Sequence, residues 1–200
     1  MGRKPIDADR RQKIVEATLN CIHKYGYQDT TVARICADAG LSTGNIHYYF
    51  GGKQNLLEEA MRSLLRDIRR KMVASLNEAD SPAERLAAIL RSNFHPDIFR
   101  TDICITWLHF WAQAPHSSEL ARLEHVNRRR FEQNLTREFV KLKGRDEARS
   151  LVQQTVAMVD GFWVKKAQRN ATLTDEDAYN MVLAFVKSTC SDEPSGLDAR

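Results

Sequence analysis

Apolar residues recur at intervals of three and four along most of the chain, and no stretch alternates with a period of two. Ile14, Ala17, Cys21, Ile22 and Tyr25 form one helical face, with Arg10, Arg11, Lys13 and Glu16 turned away from it. Asp7 or Asp9 is placed to cap this first helix, and Gly26 to end it in a left-handed turn. Thr30-Thr31 then caps a short helix with Val32, Ile35, Cys36 and Ala39 on its apolar face, and Gly40 stops it. Ser42 opens a third short helix through Ile46 and Tyr49, closed by Phe50-Gly51-Gly52.

From Lys53 the helices lengthen. Leu56, Leu57, Ala60, Leu64, Leu65, Ile68, Met72 and Leu76 keep a helical period over about six turns, predicting one helix across 53–79. Ser81-Pro82 caps the next, His95-Pro96 interrupts, and an apolar segment from Thr101 runs to Ala114 before Pro115. A further helix starts at Ser117 or Ser118 and ends near Gly144, another spans 146–170, and Thr174 with Asp177 resembles a capping box for the last, 175–190. The pattern predicts an all-α chain of about nine helices. It divides into a three-helix unit over 1–52, an antiparallel helical domain over 53–190, and a polar, frayed tail over 191–200.

Two short helices joined at Ala39-Gly40-Leu41 and braced by a longer one read as a helix-turn-helix, whose second helix fits the major groove of DNA. A helical hairpin without a ligand has the same topology, so charge bears on the choice. The 200 residues carry a net charge of only +4. Residues 1–57, however, hold eight Lys or Arg against five acids, a net +3, which is where phosphate attraction needs it. The four cysteines are far apart and form no metal-binding pair, so they are expected as reduced thiols, with no metal and no cofactor. No apolar run reaches the ~18 residues of a membrane span, and the start lacks a secretory signal. The expected compartment is the cytoplasm.

Gly26-Tyr27-Gln28-Asp29-Thr30-Thr31-Val32, Ile35, Ala39-Gly40-Leu41-Ser42, Gly44, Tyr49-Phe50, Lys53 and Leu56-Leu57 together resemble, in fixed register, the TetR family of bacterial repressors. That resemblance implies a homodimer with an N-terminal DNA-binding domain and a C-terminal domain for a small effector and for dimerisation. It implies operator contacts from Thr31 to phosphate, from Thr43, Gly44, Asn45 and Tyr48 to bases, and from Tyr49 and Lys53 to the backbone, with Arg34 contributing. His47 stands where the family often has tyrosine, and its imidazole can still donate to phosphate or base.

Trp107-Leu108-His109-Phe110-Trp111-Ala112 and Val159-Asp160-Gly161-Phe162-Trp163 resemble segments of the family's BetI-type branch, choline-responsive repressors of glycine betaine synthesis genes. A quaternary ammonium cannot donate a hydrogen bond from nitrogen or lose its charge, so its site relies on aromatic faces, worth up to ~2 kcal/mol each when desolvated. Trp107 and Trp111 share one helix face, and all three tryptophans fall in these two segments. The expected effector site draws on Trp107, Phe110, Trp111, Phe131 and Trp163, with Asp160 or Asn93 as polar partner. Large aromatics at this spacing also pack cores, and a repressor answering to another lipophilic cation fits the same residues. An enzyme does not fit well, since no nucleophile–base pair or phosphate loop is visible. The Val152, Val156, Val159 and Met181, Phe185 series is the expected dimer face, and Arg128-Arg129-Arg130 reads as a solvated helix face.

Overall fold

The computed structural model describes residues 4–168 and 170–190, and these contain eight α-helices and no strand. In chain order they are α1 Lys4–Asp29, α2 Val32–Ala39, α3 Thr43–Phe50, α4 Lys53–Asn77, α5 Pro82–Asn93, α6 Thr101–Gln113, α7 Ser118–Lys166 and α8 Asp175–Cys190. A 3-10 turn, Ala114–His116, joins α6 to α7 and carries Pro115. The expected tail over 191–200 lies outside the described residues.

Local chemistry accounts for most of the boundaries. Thr31 caps α2 by accepting the Arg34 amide, and Gly40 ends it at φ 65° with its own amide donating to Cys36. Ser81 and Glu84 form a reciprocal capping box at α5. Ser117 caps α7, and Thr174 accepts the Asp177 amide at 3.0 Å at the start of α8.

Three expectations about the helices change. α1 starts at Lys4, so Asp7 lies inside its first turn and neither it nor Asp9 is the cap. Tyr25 is exposed, while Tyr27 is buried in its place. The reason is Gly26, whose φ of 81° turns the chain between them. A side chain there would also bring a Cβ within 3.2 Å of the His109 ring, so α1 and α6 meet at this glycine. The two helices expected on either side of Gly144 form one hydrogen-bonded helix, α7, broken in its dihedral angles at that residue.

Two apolar cores result. The small one holds Ile14, Val15, Ala17, Cys21, Ile35, Cys36, Ile46 and Phe50 with Leu56 and Ala60 of α4. The large one packs α4 to α8 around Phe94, Phe110, Leu120, Leu135, Phe139 and Val182. Ile22 and Tyr27 of α1 and Leu57, Met61 and Leu64 of α4 belong to this second core, so both helices tie the small unit to the large. The cysteines are free, as reduced thiols, and burial pushes the Cys104 thiol up to about 12.

One charge sits inside this apolar packing. Glu138 is 1% exposed and is held by Arg85 at 3.1 Å and Lys141 at 2.6 Å. Burial alone would raise its carboxyl, but the two cations outweigh burial and hold it below the ordinary range. Arg85→Ala should therefore lower the unfolding free energy by about 3 kcal/mol at neutral pH, measured by urea denaturation. A depressed folded-state pKa stabilises above the ordinary carboxylate value and ceases to do so as pH falls through the depressed one. The difference between wild type and variant should accordingly shrink on acidification, and a constant difference would mean that the ion pair is not its source.

Candidate functional site

The first candidate surface is the outer side of α3 with the starts of α2 and α4. Ile46 and Phe50 anchor α3 in the small core, which leaves Thr43, Gly44, His47 and Tyr48 exposed. Tyr48 is 76% exposed, far beyond what packing requires of an aromatic ring. Thr31 is exposed at the start of α2. The remaining residues named from the sequence are engaged within the protein. The Asn45 amide donates to Ser42 Oγ at 2.9 Å, and Tyr49 donates to Asp7 at 3.0 Å. Arg34 is folded back, donating to the Asp29 carbonyl, with its guanidinium 4.3 Å from the centre of the Tyr25 ring. Lys53 donates to the Gln28 carbonyl at 3.3 Å. Free amide groups at the starts of helices add positive potential to this surface.

The second candidate is a cavity of about 260 Å³ bounded by α4, α5, α6 and α7. Asn93, Trp107, Trp111, Phe131, Asp160 and Trp163 all line it. Phe110 does not: it is wholly buried behind the wall, with its ring 5.2 Å from that of Trp107. Trp107 stands 5.5 Å from Trp163 and 5.9 Å from Trp111, centre to centre. Rings that close are in contact with each other, so a cation has no room between them and must rest against their cavity side. Phe99 backs Trp163 at 6.1 Å. Trp163 Nε1 is buried without an acceptor among the described residues.

Asp160 lies at the edge of this wall. Burial pushes its carboxyl above the ordinary value, against the pull of Arg128, whose guanidinium is 3.3 Å away. Arg128 also binds Glu124 at 2.6 Å, so it is a half-buried, paired residue of the cavity lining, while Arg129 and Arg130 are exposed, as a solvated helix face requires. The basic side of the cavity was not legible in the sequence. Arg62, Arg66 and Arg69 of α4 and Arg130 of α7 line it too. The first three follow a four-and-three spacing that places them on one helix face, which was the available signal.

Ion pairs link the cavity to the small unit. Glu59 on α4 accepts from Arg66 at 3.0 Å, from Arg11 of α1 at 3.2 Å, and from Arg62 at 3.5 Å. Arg11 in turn lies 5.0 Å over the ring of Phe50, the last residue of α3. A chain of charges thus runs from the cavity wall to the end of the helix with the exposed face. Arg62 also binds Glu119 at the start of α7, whose carboxyl Arg122 and Arg62 together hold down at about 2.

Among the described residues no group of acidic, histidine or cysteine side chains could hold a metal ion, and no helix is long and apolar enough to cross a membrane.

Residues 14–60 match the family of bacterial regulatory proteins described as tetR, and residues 82–191 match the BetI-type transcriptional repressor C-terminal family. An HTH-type transcriptional regulator BetI from Serratia proteamaculans is 36% identical over 188 residues, covering 93% of each chain. BetI 2 of Chromohalobacter salexigens is 38% identical, covering 84% of this chain and 80% of its own. Among solved structures, a transcriptional regulator from Pseudomonas aeruginosa PAO1 superposes with a TM-score of 0.80 at 24% identity, over 92% of each chain. A regulator from Saccharomonospora viridis, solved in complex with choline, superposes at 0.76 with 20% identity, over 90% of this chain and 96% of that one. A helix-turn-helix unit, an all-helical C-terminal domain and relatives of this likeness agree: the chain belongs to the TetR family of DNA-binding transcriptional repressors, in its BetI-type branch, and is not an enzyme.

Proposed function

We propose that this repressor controls glycine betaine synthesis genes in the cytoplasm and leaves its operator when choline or a related quaternary ammonium fills the cavity. The observation that carries the reading is that every tryptophan of the chain lines one cavity, which α4 connects to the reading unit. Trp107, Trp111, Phe131 and Trp163 offer ring faces, and Asp160 and Asn93 supply polar contacts. The reading unit is residues 1–52 with the first turns of α4, and 53–190 form the effector and dimerisation domain. Thr43, Gly44, His47 and Tyr48 read base edges, and Thr31 and Lys53 hold phosphate. Lys53 does so by exchanging its bond to the Gln28 carbonyl for one to phosphate, whereas Asn45, Tyr49 and Arg34 keep the contacts described above and act mainly by shaping the surface.

Repression requires two copies to place two α3 helices one DNA turn apart, ~34–36 Å or a multiple. Val152, Val156 and Val159 are buried within the chain and cannot supply the dimer face expected from the sequence; Phe185 is half-buried. The outward side of the same helices carries Ala157, Gly161 and Val164 on α7 and Met181 and Ala184 on α8, all exposed. Small and apolar residues in register allow close helix packing, and this side is the proposed interface. An effector shifts the dimer only to the extent that it binds the non-repressing spacing more tightly.

Operator affinity should fall steeply with salt, and Lys53→Ala should weaken it and flatten the slope of log affinity against log salt by about one. Binding that ignores both would remove Lys53 from the DNA contacts. Choline titrated into a labelled operator complex should release the DNA. Trp107→Ala and Trp163→Ala should each require at least about tenfold more choline while still binding operator. No release at saturating choline, with release by larger lipophilic cations, would favour a drug-responsive repressor. Gly161→Arg should give a folded monomer by sedimentation with greatly reduced operator affinity; an unchanged dimer would place the interface elsewhere.

A further inference from the structure

The cavity lining is of two kinds. Besides the aromatic rings it includes five arginines, Arg62, Arg66 and Arg69 of α4 and Arg128 and Arg130 of α7, against only two acids, Glu124 and Asp160. Both acids are already engaged by Arg128. Arg62 and Arg66 are occupied by Glu58, Glu59 and Glu119. Arg69 and Arg130 are different: they make no ion pair or hydrogen bond with any described residue, and both are exposed at the rim. Trp107 and Trp163 lie at the other extreme, nearly buried. The cavity therefore runs from an apolar, aromatic floor to a rim with uncompensated positive charge.

That distribution is poorly matched to a ligand whose only charge is positive. A quaternary ammonium on the aromatic floor finds both lining carboxylates, Glu124 and Asp160, paired with Arg128, and its other end facing two free guanidinium groups. A guanidinium fork binds carboxylate or phosphate with paired, charge-assisted hydrogen bonds, and does nothing for an uncharged hydroxyl of comparable strength. We infer that the preferred ligand of this cavity is a zwitterion, joining a quaternary ammonium held by the aromatic wall to an anionic group held by Arg69 and Arg130. The inference rests on the quaternary-ammonium reading of the floor and adds the second charge. A trimethylammonium carboxylate and a choline phosphate ester share this chemistry and differ only in the anion presented to the rim.

Because all three tryptophans line the cavity, their fluorescence reports occupancy directly, without operator DNA. The full-length protein is titrated with choline, glycine betaine and phosphocholine at low ionic strength, then again as the Arg69→Gln/Arg130→Gln double variant. Both positions are exposed and unpaired, so the variant should fold, which circular dichroism checks. The expected result is that at least one zwitterion binds wild type about tenfold or more tightly than choline. The tighter of the two identifies the anion as carboxylate or phosphate. In the double variant the zwitterion should lose that advantage, while choline should bind more tightly because two repelling charges are gone. Choline binding at least as tightly as both zwitterions to wild type would overturn the inference and leave the quaternary-ammonium reading intact. An unchanged zwitterion affinity in the double variant would overturn it likewise. Absence of any fluorescence response to all three ligands would remove both readings together.

Discussion

Helix α4 must satisfy three environments along one rod, and the rest of the architecture follows from that demand. Leu56 and Ala60 close the small core, Leu57, Met61 and Leu64 enter the large one, and Leu65, Ile68 and Met72 wall the cavity. Its 25 residues extend about 37 Å, stiffened by a hydrogen bond at nearly every residue. Packed cores move between discrete arrangements and do not deform smoothly. α4 thus joins the cavity directly to Lys53, where the small unit ends. Glu59 reinforces the connection by gathering guanidinium groups from both sides, Arg11 from α1 and Arg62 and Arg66 from the cavity wall.

The cavity floor shows how little separates a packing cluster from a recognition surface. Trp107, Phe110, Trp163 and Phe99 touch edge to face or tilted, as aromatic side chains do in any core. What makes part of the cluster a surface is a cavity of about 260 Å³, lined by Trp107, Trp111 and Trp163 together with basic side chains of α4 and α7. Trp107 and Trp163 thus pack against neighbouring rings and also border open space. Phe110, next to Trp111 in the chain and so about 100° around the helix from it, is left with packing alone.

Helical periodicity, caps and glycine stops located nearly every element, because these are local effects that act within a few residues. It erred where a distant contact chose between two neighbours. Tyr25 and Tyr27 are equally apolar in the sequence, and the turn at Gly26 against His109 of α6 decided which was buried. Val152, Val156 and Val159 suited an interface or a core equally well, and α5, α6 and α8 closing over that side of α7 made them core. Arg128 reads as part of a solvated basic face, and the sequence does not show that Asp160, 32 positions further on, is its partner.

The residue order by itself thus determined an all-helical chain, a helix-turn-helix at its front, and a set of tryptophans confined to two segments of its second part. Periodicity, turn chemistry and family resemblance all act through near neighbours or fixed register, which a linear reading preserves. Only the tertiary structure decided that six of the seven named residues share one cavity, that five arginines line it with them, and that Arg34 and Tyr49 make hydrogen bonds within the chain. Those outcomes depend on which side chains meet across helices dozens of residues apart. Burial and charge at such meetings are properties of the packed solid, where a partner's presence outweighs any preference that a residue carries alone.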